Sequence, residues 1–284
     1  MSKNLVVGLA SGYSIDKIKP FVLSFRQHCQ DDILFVMSDV SDEMAEFCEK
    51  NQVYTFIPEE PLQMQTCQVK RYSIYLDCLE EYFLDAENVL IADVRDIVFQ
   101  SNPFADYPKK SLEFFAEPEL FKNCSHNAPW IAGIYGAERV QEVGDEYVIC
   151  SGTTMGTRAG MVQYLTTMSE EVQRLESGGR PLYGGEDQPV HNHLVYDNRF
   201  EDFNINQNGV GPICTMHHSK VLSFNRAGQL LNDDGSVIPV VHQYDRCGPM
   251  SAVFVKNALN VRGKAGVKVA AEYAAANFSE HDLG

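Results

Sequence analysis

The chain has 284 residues, 44% of them hydrophobic and 22% charged, with a net charge of −16. This composition suits one large α/β domain, or one domain with a small appendage, and it argues against general nucleic-acid binding, which relies on basic surface to release counterions. No apolar run reaches the ~18 residues a membrane span needs, and the start of the chain lacks a signal-peptide hydrophobic region.

Strand-like apolar runs alternate with helical patterns through the first half. Strands are predicted at Leu5–Leu9, Ile33–Met37, Val53–Ile57, Val89–Ala92 and Leu112–Ala116, with helices at Ile15–Cys29, Asp42–Lys50 and Gln65–Phe83. The last helix carries Tyr72, Tyr75, Leu76, Leu79 and Phe83 at three-to-four-residue spacing, an apolar stripe facing the sheet. Such alternation implies βαβ units and a largely parallel sheet. The second half is less regular. Short strands are expected at Tyr147–Cys150 and Thr153–Gly156 around Ser151-Gly152, then a helix from Ala159 to about Leu175 and another from near Gly185. Asn232-Asp233-Asp234-Gly235 is a turn signal preceding a strand at Val237–Val241. The expected division is a main domain over 1–250 and a helical extension or tail over 251–284, where Lys256, Arg262, Lys264 and Lys268 precede the next acid, Glu272. The eight cysteines contain no Cys-x-x-Cys pair and read as small buried hydrophobes of a reducing, cytoplasmic compartment.

The most informative segment is Asn88–Phe104. Val89-Leu90-Ile91-Ala92 reads as a strand buried on both faces, and it ends in Asp93, Arg95 and Asp96. Ligands of open α/β sheets sit at the carboxyl ends of the strands. Two carboxylates there suit a divalent cation bound to a diphosphate, although a solvated acidic turn reads the same way. Three further clusters can carry chemistry. His242-Gln243-Tyr244-Asp245-Arg246 closes another apolar strand, with His242 as a neutral-imidazole ligand and Arg246 as a phosphate partner. Gly184-Gly185-Glu186-Asp187-Gln188 lets backbone approach a ligand at the start of a helix. The hydroxyl-rich Cys150–Gly156 stretch, with Ser151 and Gly152, suits a loop beneath a sugar or phosphate, but it lacks both the P-loop spacing and the dinucleotide fingerprint. Weaker candidates for the nucleotide end are the turn holding Gly8, Ser11, Gly12 and Tyr13, then Asp39 after the second strand, and Lys70 with Arg71. The pairs His191/His193 and His217/His218 lack acidic neighbours at metal spacing and read as structural or solvated.

Taken together, Asp93, Arg95, Asp96, Phe99, Gln100, Pro103 and Phe104 form an Asp-x-Arg-Asp-x-x-Phe-Gln motif followed by Pro-Phe. Over roughly residues 4–246 the chain resembles nucleotide-diphospho-sugar glycosyltransferases of the GT-A fold, in a branch only distantly glycogenin-like. The order of Lys70-Arg71, Ser151-Gly152, Glu186-Asp187-Gln188 and His242-Gln243-Tyr244-Asp245 agrees with it. The resemblance implies a Rossmann-like, mixed, mainly parallel sheet flanked by helices. It implies a sugar-nucleotide donor with Mn²⁺ or Mg²⁺ bridging its diphosphate, and a glycan, lipid-linked or protein acceptor, the lipid-linked case bringing peripheral membrane association. Metal ligands would come from Asp93, Asp96 and His242, while Arg95 occupies the second acid position of a strict Asp-x-Asp. Asp187, Gln188 and Arg246 take the catalytic positions. Asp187 is the acceptor's general base in an inverting enzyme, or lies with Gln188 near the sugar in a retaining one, which the joint presence of Asp-Gln and a C-terminal histidine slightly favours. The alternatives are a sugar-1-phosphate nucleotidyltransferase, whose Gly-rich basic signature is absent, and an inactive nucleotide-sugar-binding protein, which Arg95 keeps open.

Overall fold

A computed structural model describes residues 3–217, 223–246 and 249–260. The chain alternates through β1 (Asn4–Leu9), α1 (Ile15–His28), β2 (Asp32–Val36), α2 (Asp42–Lys50), β3 (Val53–Phe56), α3 (Cys67–Glu81) and β4 (Asn88–Ala92). It continues through β5 (Ile97–Phe99), β6 (Leu112–Leu120), α4 (Asn127–Tyr135), α5 (Ala137–Glu142), β7 (Tyr147–Thr157), α6 (Arg158–Ser177), α7 (Asp187–Tyr196) and β8 (Phe203–Asn206). Four short strands, β9 (Ile213–Thr215), β10 (Ser223–Phe224), β11 (Leu230–Leu231) and β12 (Val240–His242), precede α8 (Pro249–Ala258).

The architecture is α/β. Seven strands form a mixed sheet in the order β3-β2-β1-β4-β7-β6-β8, in which β7 alone runs against its neighbours. Val6, Val89 and Leu90 are closed off from solvent, as the unbroken apolar runs require of strands covered on both faces. One core holds Tyr72, Tyr75 and Leu79 of α3 with Met161, Leu165 and Met168 of α6. A second packs Phe21 and Phe25 of α1 against Phe99 of β5, edge-on at 5.0 and 4.9 Å. Seven cysteines among the described residues are free and buried. No helix among the described residues is long and apolar enough to cross a membrane.

Three elements differ from the sequence expectation. Tyr147–Thr157 is one continuous strand, so Ser151 and Gly152 lie within β7 and form no loop. Antiparallel pairing with β4 carries the backbone through them, and Asp93 N–H donates to Gly152 O at 2.8 Å. The strand expected at Val237–Val241 starts at Val240, because Pro239 has no N–H for a ladder; Val237 bridges only to Leu231. The helices α4 and α5 fill a stretch that carries no clear periodicity. By contrast the Asn232–Gly235 turn is present, with Asn232 N–H on Ser236 O at 2.8 Å and Gly235 at φ +84°.

A second sheet, β5-β12-β9, lies beyond the Asp93–Asp96 turn. In it His242 pairs in register with Ile97 of β5 and with Thr215 of β9, which sets the imidazole beside Asp96. Gln100 fastens this sheet: its amide donates to Ile238 O at 2.7 Å and Leu230 O at 3.2 Å, and accepts from Leu230 N–H at 2.9 Å. Phe99 and Gln100, two of the seven motif residues, therefore build scaffold. Helix α8 covers the sheet with Phe254 and Val255 against Val241 and Tyr244. Residues 261–284, most of the expected tail, lie outside the described residues, as do Cys247 and His218.

Candidate functional site

A cleft of about 440 Å³ opens at the carboxyl ends of β1 and β4, beside the amino-terminal half of the antiparallel β7. Asp93, Asp96 and His242 meet in its floor, with one ligand atom from each within 4.8 Å of the others. Each carboxylate spends one oxygen on a guanidinium and turns the other to the imidazole. Asp93 Oδ1 accepts from Arg71 at 2.7 Å, and its Oδ2 stands 3.8 Å from His242 Nε2. Asp96 Oδ2 accepts from Arg95 at 3.3 Å, and its Oδ1 stands 3.6 Å from the same nitrogen. Those two separations are too long for hydrogen bonds, and His242 Nε2 is buried without a partner. The other ring nitrogen, Nδ1, is held by Thr215 Oγ1 at 3.2 Å and Cys150 Sγ at 3.5 Å.

This arrangement fits a divalent metal. Ligands about 2.0–2.2 Å from one cation stand roughly 3–3.6 Å apart, close to the separations seen. The atoms not facing the centre are fixed by Arg71, Arg95 and Thr215, as ligands need outer partners to hold their orientation. Gly152 makes the approach possible: a Cβ there would stand 2.4 Å from Asp93 Oδ2 and 3.1 Å from His242 Cε1. The local field favours positive charge, and a metal would have to displace the proton that this field holds on His242. Burial opposes charge on both groups, yet Arg71 and His242 hold the Asp93 carboxyl well below its usual range. Cys150 and the two acids lift the imidazole well above its ordinary value against its burial.

Arg71 is the connector. Its side chain is 4% exposed and reaches Asp93, Asp187 Oδ2 at 2.9 Å and Ser151 O at 3.1 Å. Tyr72 OH donates to the same Asp187 oxygen at 3.0 Å. Asp187 opens α7 on the cleft wall, one oxygen committed to Arg71 and Tyr72. Gln188, next to it, accepts from Ser151 Oγ at 3.2 Å and donates to Asn127 at 2.9 Å and Glu117 at 3.2 Å. Arg95 is tied to Asp245 at 2.8 Å as well as to Asp96. Arg246 lines the cleft with Nη2 3.8 Å from Asp96 and with Nε buried and unpartnered.

The remaining candidates scatter. Tyr13 lines the cleft, its hydroxyl pushed up to about 12 by burial and by the nearby Asp93 and Asp96. Gly8 lies within β1, where an added Cβ would stand 2.3 Å from Val94, so it is a packing position beneath the Asp93–Asp96 turn. Ser11 is buried and hydrogen-bonded to the Ser38 hydroxyl, tying together the loops that follow β1 and β2. Gly12 faces Met64, and Asp39 is exposed; neither lines the cleft. Lys70 points away and pairs with Glu176 at 2.6 Å on the outer surface. His191 is a core histidine, and His193 stacks on Tyr135 at 3.8 Å. His217, read as structural or solvated, is part of the cleft wall.

Glu117, Asn127 and Trp130 line the cleft without any signal in the sequence. Glu117 ends a run of buried β6 residues, and burial raises its carboxyl above the usual range.

Comparison with family models finds no match to the chain, and comparison with curated proteins finds none either.

Proposed function

We propose that this chain is a metal-dependent glycosyltransferase that takes a sugar from a nucleoside-diphosphate donor to an acceptor hydroxyl. The single observation that carries the reading is the Asp93–Asp96–His242 centre, with its unpartnered Nε2, in the floor of a cleft at the strand ends. The motif's resemblance to GT-A enzymes supplies the reaction class. Two carboxylate oxygens with one imidazole nitrogen suit Mn²⁺ better than Mg²⁺, which takes oxygen ligands and keeps much of its water. When bound, the metal would neutralise charge developing on the diphosphate leaving group. Arg246, which lines the cleft beside Asp96, is the chain's own cation for phosphate oxygens. Arg95, paired to Asp245 and Asp96, serves by orienting Asp96. Asp187 serves by holding Arg71, and through it Asp93, while Gln188 and Ser151 offer polar groups beside the sugar's expected position.

The test is incubation with a panel of sugar nucleotides and Mn²⁺, following nucleoside diphosphate release. Slow, EDTA-sensitive donor hydrolysis that disappears in Asp96→Asn is the expected result. Turnover that requires pyrophosphate would assign a nucleotidyltransferase, and binding without turnover would assign a nucleotide-sugar-binding protein; either overturns the proposal.

A further inference from the structure

The chain contains a single tryptophan, Trp130, and it stands on the rim of the cleft, 40% exposed. It sits on α4, whose neighbouring Asn127 and Ile131 are buried, so the helix is anchored by one face and presents the indole from another. Gly185 lies next to it: a Cβ there would be 3.6 Å from the ring, in ordinary contact. His126 lies 6.1 Å away, tilted by 46°.

The surroundings of the indole are polar. Asn127 and Gln188 are hydrogen-bonded to each other, and beside Gly185 an Arg180–Glu186 pair closes at 2.8 Å. A lipid chain needs a contiguous apolar surface, which this rim lacks. A saccharide ring has the matching anatomy: its C–H face is apolar and slightly positive, suited to the negative face of an aromatic ring, while its edge carries hydroxyls for polar neighbours.

Position along the sheet gives the role. Leu9 ends β1 and Tyr13 follows it, the acids follow β4, Ser151 and Gly152 belong to β7, Glu117 to β6, and α4 comes after β6. Trp130 thus enters the cleft from the β6–β7 connection, over Gly185 just before α7. We infer that Trp130 is the stacking platform of a saccharide subsite, where a glycan acceptor is held. The term acceptor rests on the glycosyltransferase reading; the saccharide contact does not.

Because Trp130 is the only tryptophan, the intrinsic indole emission of the full chain reports on this place alone. The experiment titrates the protein, without metal or nucleotide, with lactose, cellobiose, maltose and chitobiose to tens of millimolar. A saturable emission change with at least one disaccharide is expected. Measured by saturation-transfer NMR, Trp130→Ala should weaken that disaccharide at least ~10-fold, and Trp130→Phe should stay within ~3-fold of the parent. Silence with all four sugars, or unchanged binding in Trp130→Ala, overturns the assignment. So does an emission change produced by a sugar nucleotide with Mn²⁺ and by no disaccharide, which would give the platform to the donor. Failure of the glycosyltransferase reading looks different: disaccharide binding would persist while sugar nucleotides go unturned in the presence of Mn²⁺.

Discussion

His191 and His242 are both closed off from solvent, and both have a buried Nε2 without a hydrogen-bond partner. Around His191 the fold places Tyr164, whose hydroxyl meets Nδ1 at 2.8 Å, and the ring of Phe114 at 5.3 Å. Burial, helped by the charge of Arg71, pushes this imidazole down to about 3, so it is neutral. Around His242 the same burial is outweighed by Cys150, Asp96 and Asp93, and the imidazole is lifted well above its ordinary value. An unpartnered nitrogen is therefore no mark of function by itself. What sets His242 apart is that its Nε2 stands 3.6 and 3.8 Å from two carboxylate oxygens that could share a metal with it. Arg71 belongs to both regions, holding Asp93 and Asp187 on one side and disfavouring charge on His191 on the other.

The largest expected effect breaks the comparison on the His191 side. A histidine with a depressed folded pKa contributes stability that is complete above its unfolded value of about 6.5 and is lost as pH falls towards 3. The loss is about 1.4 kcal/mol per pH unit over that window, approaching about 5 kcal/mol at its lower end. Denaturant unfolding at a series of pH values should show a shallower acid decline in His191→Gln than in the parent. Equal slopes would mean that His191 charges freely in the folded protein.

The next effect acts on the connector. Arg71→Met leaves the buried Asp187 carboxylate with Tyr72 alone and frees Asp93 Oδ1. Removing one partner of a buried ion pair typically costs about 3–5 kcal/mol, measurable by urea denaturation, and the variant should also need more Mn²⁺ for half-saturation. A stability loss below about 1 kcal/mol would show that Asp187 is not held as described.

The smallest effect sharpens the contrast one residue away. Lys70 pairs with Glu176 across half-exposed side chains, and such pairs contribute about 0–1 kcal/mol. Lys70→Ala should leave calorimetric nucleoside-diphosphate binding unchanged. A clear loss of affinity would place Lys70 at the ligand after all.

Lys70 and Arg71 also show where sequence reading stops. Both are cations at the head of one helix, but successive helical residues turn by about 100°, so only one faces the sheet. Helix phase, set by packing of Tyr72 and Tyr75, makes the choice. The parallel strands were legible because strands covered on both faces are apolar throughout, and Asp93, Asp96 and His242 were legible because each ends or follows such a run. Ser151-Gly152 was not. Small hydroxyl and glycine residues weaken a strand pattern, and Gly152 is needed for the approach of Asp93, a requirement that comes from another strand. Helix α4, with Pro129 in its first turn and Gly133 within, carries little periodicity. Glu117 and Trp130 acquire meaning only once the fold brings β6 and α4 over the cleft.

Mn²⁺ titration followed by electron paramagnetic resonance tests the central claim most directly, since bound and free ion differ in signal. One Mn²⁺ per chain is predicted at neutral pH, with affinity falling as pH drops and protons compete more strongly for His242. Asp96→Asn and His242→Ala should each raise the free ion needed for half-saturation by about 10–100-fold or more, while Lys70→Ala should not. Binding of Mn²⁺ with parental affinity in both ligand variants would contradict the account.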